Sequence, residues 1–359
     1  MPDGWALRAV YPVWAIRGIK WGRFDAYWRD TARNQGLSRL AVLGDIARAL
    51  FTHATTPMDY FYFGFPELSE AERASYVSSL ELYRYQRAVN SREAAALVGD
   101  KVTALKTFSA YVHRDWFDLT ADADSFSRWL SRRRPRKVVV KDPKGAAGVG
   151  VQVLPVKTSP TVRVNGIPLD DFVHECLRRR MTLVEEYVSQ HATTARIAPD
   201  SLNTVRVITR TDGKRDLHVV ACILRFGSGG PLDNFDAGGY SVLLDATTGR
   251  PSLAPVAKDP QRRNEPAGNP ELTAALSTLT VPYWRELIAM VAAASRQIPG
   301  LGTAGWDVAV TEAGPELVEI NHNWDKTHWQ VSSGKGLRAE FRAWDAPVIR
   351  GQVTASAAQ

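Results

Sequence analysis

Cysteine is scarce: the 359-residue chain has 2, Cys176 and Cys222. Two thiols cannot staple a chain this long, so a disulfide scaffold is excluded and a reducing, cytoplasmic setting is expected. Long apolar runs are missing as well. The best uncharged window, LIAMVAAAS at 287–295, falls far short of the roughly 18 residues of a membrane span. The N-terminal stretch is interrupted by Arg8, Arg17 and Lys20 and offers no cleavage site, so it is not expected to be a signal peptide. Disorder is excluded by composition, with 45% hydrophobic and 23% charged residues. The length fits two or three packed subdomains. The formal charge of +7 suits an anionic partner but does not choose one.

Residues 1–135 read as mostly helical. Over 24–53, Phe24, Tyr27, Trp28, Leu37, Leu40, Leu43, Ile46 and Leu50 recur at three- and four-residue steps. Ser69 with Glu72 three places on is a capping-box pattern. The character changes after the basic run 132–137. A β-branched strand, VVVK (138–141), precedes a glycine-rich turn at Gly145, Gly148 and Gly150 and a strand at 151–156. A helix over 168–180 and a short strand, LVEEYV (183–188), come next. From 200 onward paired strands dominate, with Asp212-Gly213 as one turn and Ala313-Gly314 as another. A helix is expected over 282–297. The last residues, 351–359, read as a frayed tail.

The richest stretch is GWDVAVTEAGPELVEINHN (305–323). Strand alternation puts Glu319 and Asn321 on one face, and a tight turn brings Asp307 near them from the far end of the partner strand. Hard oxygens gathered this way suit Mg²⁺, or Mn²⁺, carrying nucleotide phosphates; the plain alternative is a solvated hairpin face. In VVVKDPKGAAGVGV, Lys141 ends a strand ahead of three glycines and could offer an ammonium and backbone N–H groups to phosphate. That stretch is neither a Walker A loop nor a dinucleotide fingerprint, and a flexible hairpin reads it equally well. LVEEYV could present edge backbone to an adenine, or be an ordinary buried strand. Asn203 and Arg206 alternate with apolar neighbours in SLNTVRV, which fits Arg206 for bidentate contact with a carboxylate or phosphate.

Taken in order, DKVTALK (100–106), KVVVKDPKGAAGVGV, LVEEYV, SLNTVRVIT, DNFDAGGY (233–240) and the 305–323 motif resemble the ATP-grasp superfamily. Within it the chain resembles the sugar-transfer-associated family, with kinship to glutamate-ligase-like members. The resemblance implies an α/β (α+β) ATP-grasp fold, two subdomains gripping ATP behind a mainly helical N-terminal domain. The expected divisions are 1–99, 100–199, 200–350 and the tail. It implies that Lys101, Lys106 and Lys141 contact ATP phosphates under the 145–150 loop, and that Glu185, Glu186, Val188 and His191 lie around the adenosine. Asp307, Glu319 and Asn321 would hold Mg²⁺. Arg206, Lys141 and Asn234 would serve catalysis, and Asn203, Arg206, Asn234, Gly238 and Gly239 the acceptor. The implied activity is ATP-dependent ligation of a carboxylate to an amine through an acyl phosphate, in glycan-precursor or natural-product biosynthesis. The segment after Asn321 departs from the family by reading His322-Asn323-Trp324-Asp325 rather than a proline-rich turn.

Two other readings remain. One keeps the ATP site but transfers phosphate to a hydroxyl. The other takes the basic run Arg132–Lys137 as a polyanion-binding patch, although it lacks interleaved aromatics and reads as a solvated linker; no nucleic-acid partner is expected. His113-Arg114-Asp115 imitates a kinase catalytic loop, but Thr120 stands where Asn is required. That match is read as accidental. Cys176 and Cys222 are expected in the core.

Overall fold

The computed structural model describes residues 4–120, 123–145, 150–158, 161–212, 216–230, 233 and 235–344. The predicted helical segment over 24–53 is two helices, Trp21–Asn34 and Arg39–His53, parted at Gly36, whose φ of +62° suits a residue without Cβ. Ser69 closes the expected capping box with Glu72, and Ser78 closes a second with Glu81 to start the helix Ser79–Val89. Between them, Phe24, Tyr27, Phe61, Phe63, Phe65 and Tyr76 interlock as an aromatic core. The helices Arg92–Gly99 and Lys101–Thr107 follow.

The strands form two six-stranded antiparallel sheets. The first is built from β1 (Trp116–Asp118), β2 (Lys137–Lys141), β3 (Gln152–Lys157), β4 (Arg163–Val164), β5 (Ile167–Pro168) and β6 (Leu183–Glu186), in the order β1-β6-β2-β3-β4-β5. The second holds β7 (Thr204–Thr211), β8 (Leu217–Phe226), β9 (Tyr240–Leu244), β10 (Val256–Ala257), β11 (Thr303–Thr311) and β12 (Gly314–Asn321), in the order β10-β9-β8-β7-β11-β12. The position of β6 corrects one expectation. LVEEYV offers no free strand edge over Leu183–Glu186, because β1 pairs with β6 on one side and β2 on the other.

Alternation along each strand separates core from cleft. Val138, Val140 and Val184 pack with Phe126, Leu130, Phe172 and Cys176 of the covering helices, which turns Val139, Lys141 and Glu185 the other way. In the second sheet, Val205, Val207, Leu224, Trp306 and Val308 pack against the helices Arg92–Gly99 and Trp284–Ser295. The opposite face carries Arg206, Arg225, Asp307 and Glu319 toward the first sheet. Farther along that face, Ile208, Ala221 and Ile223 are covered by Trp324, Trp329 and the N-terminal Val77, Leu82 and Tyr85. The helical region therefore backs the second sheet directly. Both cysteines are buried, and burial pushes their thiols up, Cys176 to about 11 and Cys222 to about 12, which suits core packing rather than nucleophilic use. No helix among the described residues is long and apolar enough to cross a membrane.

Candidate active site

Between the sheets lies a cleft of about 280 Å³, lined from one side by Val139, Lys141, Val153, Glu185 and Val188 and from the other by Arg206, Arg225, Asp307, Glu319 and Asn321. Apolar walls with a few converging charges are the usual build of a small-molecule site. Lys141, last residue of β2, points into it with Nζ 2.5 Å from Glu185 Oε2. Burial raises the Glu185 carboxyl, yet Arg114 and Lys141 more than offset this and hold it below the usual value. Lys101, in the first turn of its helix, reaches Glu319 Oε1 at 3.2 Å and donates to the carbonyl of Gly145. Its own backbone N–H bonds the Pro143 carbonyl at 3.0 Å, so the start of the glycine segment is tied to this helix.

Across the cleft Arg206 makes a two-pronged contact with Asp307, Nε to Oδ1 at 2.7 Å and Nη2 to Oδ2 at 2.6 Å. Gly305 makes room for it: a Cβ there would stand 3.1 Å from Trp324 Cβ and 3.5 Å from Arg206 Cδ. Arg225 adds a second cation, 3.2 Å from Asp307 Oδ2 and 3.3 Å from Asp233 Oδ2. Burial alone would raise the Asp307 carboxyl, but Arg206 and Arg225 pull it below its ordinary range.

The metal-ligand expectation places well in space. Asp307 and Glu319 are direct cross-strand partners on β11 and β12, closer in register than the sequence suggested, beside a bulge at Asp307/Val308. Asn321 Nδ2 points back to Asp307 Oδ2 at 3.4 Å. Among the described residues no three His, Cys, Asp or Glu side chains gather to hold a metal unaided. A pair of carboxylates with an amide oxygen, completed by phosphate and water, is nonetheless a donor set that fits Mg²⁺. Glu319 Oε2 and Asn321 Oδ1 have no protein partner among the described residues, whereas both Asp307 oxygens are engaged by Arg206.

Other expected residues lie elsewhere. The Asn203 amide is spent inside its own loop, donating to Thr194 O at 2.9 Å and Ala198 O at 3.1 Å and accepting from Ser201. His191 accepts from Thr193 N–H at 3.0 Å and stacks edgewise on Tyr283; neither residue lines the cleft. Lys106, at the end of its helix, and the Gly238-Gly239 pair are outside the lining too. Glu186 borders the cleft and accepts from Asp115 N–H at 3.0 Å. Gly150 has φ +77°; Gly148 and Asn234 fall outside the described residues. The basic run ends the helix Ala123–Arg133 and stays largely exposed.

Besides Arg225, two groups escaped sequence reasoning. Arg114, dismissed with its kinase-like neighbours, is buried between the sheets. It bonds Glu316 Oε1 at 2.9 Å, Glu185 Oε1 at 3.3 Å and the carbonyls of Leu317 and Val318 at 2.7 and 3.2 Å. The other is the helix Lys326–Ser333, in which Lys326, Thr327, His328, Trp329, Gln330, Val331 and Ser332 are all buried. Nothing in KTHWQVSS announces that burial; the one hint was the unusual sequence after Asn321.

The model of the sugar-transfer associated ATP-grasp family matches residues 81–346, well over half of the chain. The chain belongs to that family. Its fold is accordingly the ATP-grasp fold, two α+β lobes facing across the cleft just described. Among solved structures, N5-carboxyaminoimidazole ribonucleotide synthetase from Thermus thermophilus is similar at 10% identity and a TM-score of 0.42, over 70% of this chain and 54% of that one. N5-carboxyaminoimidazole synthase from Aspergillus clavatus, in complex with ADP and its ribonucleotide, gives 12% and 0.44 over 76% and 58%. The D-alanine-D-alanine ligase from Coxiella burnetii gives 11% and 0.39 over 73% and 60%. The chain spans just over half the length of these structures. No curated protein matches.

Proposed function

We propose that this protein binds ATP with Mg²⁺ in the inter-sheet cleft and uses it to join a carboxylate to an amine. One observation carries the reading: Lys101, Lys141, Arg206 and Arg225 converge with Asp307, Glu319 and Asn321 on a single cleft between two lobes of an ATP-grasp family member. A carboxylate is a poor electrophile at neutral pH. Transfer of the γ-phosphoryl group gives its oxygen a competent leaving group, and an amine then displaces phosphate to leave amide, ADP and inorganic phosphate.

The chain's part in this is electrostatic and positional. Lys101 and Lys141 are the phosphate-facing cations, with Gly145 bonded to Lys101 and Gly150 proposed to join them. Lys106 and Gly148 complete that proposal. Glu185, Glu186 and Val188 border the adenine end, with His191 beyond them. Arg206 meets the transferred phosphoryl group. Glu319 and Asn321, with Asp307 once Arg206 turns to the phosphate, would hold Mg²⁺, which supplies charge neutralisation on the phosphates. Asn234 and the Gly238-Gly239 backbone remain the proposed acceptor contacts, whereas Asn203 braces its own loop, 190–203.

Calorimetric titration of Mg–ATP, with and without EDTA, into wild type and Glu319→Ala tests this. Metal-dependent binding that weakens in the variant, at an unchanged melting temperature, is expected. A folded wild type that takes up no Mg–ATP would sink the reading.

A further inference from the structure

His328 is the one histidine among the described residues whose two ring nitrogens are both buried without a hydrogen-bond partner. It is 5% exposed and lines the cleft beside Asn323, Trp324 and Asp325. Its ring lies against Phe235, centroids 4.5 Å apart at 31°, so the contact helps to hold its orientation. A buried imidazole with nothing to bond is costly, and a fold tolerates that where a ligand supplies the missing contact.

The surroundings narrow the ligand. Arg206, Arg225 and Lys258 face the ring as cations, Asp325 and Asp307 as anions, and none reaches a ring nitrogen. Lys326, on the same helix, is neutralised by Asp59 at 2.9 Å. Burial first, then Arg206, Arg225 and Lys258, drive the imidazole well below its ordinary pKa against the opposing pull of Asp325. The ring is therefore neutral at physiological pH and carries one nitrogen lone pair. It accepts an N–H and repels no cation. An anion would be better served by the arginines; the lone pair calls for a donor.

We propose that His328 receives the amine nucleophile, accepting its N–H and so aiming the nitrogen lone pair at the acyl carbon. This rests on the ligase reading of the cleft. In the step, the amine nitrogen's lone pair forms the C–N bond to the acyl carbon. The acyl C–O bond breaks, and its electron pair leaves with phosphate. The amine proton passes to the departing phosphate, and the imidazole stays neutral throughout.

The variants His328→Phe and His328→Gln test the assignment by thermal unfolding. The first removes both orphan nitrogens while keeping a ring against Phe235, so it should melt about 2 °C or more above wild type. Mg–ADP should protect all three proteins. A pool of the twenty standard amino acids with glucosamine, added on top of Mg–ADP, should protect wild type further, His328→Gln less and His328→Phe not at all. With the protecting amine and its acid partner, ADP release should fall about a hundredfold in His328→Phe, which no longer orients the nucleophile. Failure of Mg–ADP to protect wild type would sink the ATP reading and this proposal with it. Protection by Mg–ADP without further protection by the pool would overturn the amine subsite alone. So would equal pool protection in His328→Phe, or a His328→Phe variant that melts below wild type.

Discussion

Arg114 and Arg206 stand on opposite walls of the same cleft, and each is 7% exposed. Arg114 spends both terminal nitrogens on the chain. Its guanidinium ends on Glu185 of β6 and on Glu316, Leu317 and Val318 of β12, and so rivets one sheet to the other. Arg206 spends Nε and Nη2 on Asp307, and its Nη1 has no partner among the described residues. Equal burial therefore does not mean equal purpose. A buried guanidinium whose two terminal nitrogens both reach across to the other sheet holds the fold, whereas one with a terminal nitrogen to spare beside the cleft is placed to meet something the chain does not supply.

The strongest way to break that contrast is Arg114→Met. It leaves Glu316 with only the backbone N–H of residue 114 and Glu185 with Lys141 alone, and should cost about 3–5 kcal/mol of stability in denaturant melts. A loss as small as a surface ion pair's would show that the lobes are held by something else. Arg206→Ala should do the reverse. Asp307 keeps Arg225 at 3.2 Å, so the melt should stay nearer wild type than that of Arg114→Met. ADP release with an accepted acid and amine should meanwhile drop about a hundredfold, a barrier increase of about 2–4 kcal/mol. An Arg206→Ala protein that turns over normally would remove Arg206 from the chemistry.

Acid titration sharpens the comparison least but touches both clusters. Glu185 and Asp307 are held below their ordinary values of 4.5 and 3.8 by their arginine and lysine partners. A carboxyl depressed in the folded state stabilises fully above its unfolded pKa and loses that contribution as pH falls through the folded value. Stability should thus be insensitive to these groups above about pH 5 and decline below it. Arg114→Met should flatten the Glu185 part of that decline.

How far the sequence discloses this arrangement depends on how local each signal is. The 305–323 hairpin was legible because alternation and a two-residue turn are encoded in neighbouring positions, which is why Glu319 and Asn321 could be put on one face. Lys141 was legible as the end of a β-branched run. Arg114 was not. Its partners Glu185 and Glu316 lie 71 and 202 residues away, and its local context imitated an unrelated motif. The central position of β6 escaped for the same reason, since β1 is only three residues long and carries no pattern of its own. His328 stayed hidden because a helix buried on every side has no amphipathic stripe to read.

Gln330 sits in that buried helix, and its amide treats Val77 as a second strand would. It accepts the Val77 N–H at 2.7 Å and donates to the Val77 carbonyl at 3.1 Å. Lys326, one turn earlier, relies on Asp59. Both partners precede residue 81, where the family match begins. A protein trimmed to that boundary would leave an ammonium and an amide facing emptied ground directly beneath the cleft. The early helices are thus the far wall of the second sheet's lobe, and anyone shortening this chain for crystallisation or for grafting would be removing a wall rather than an ornament.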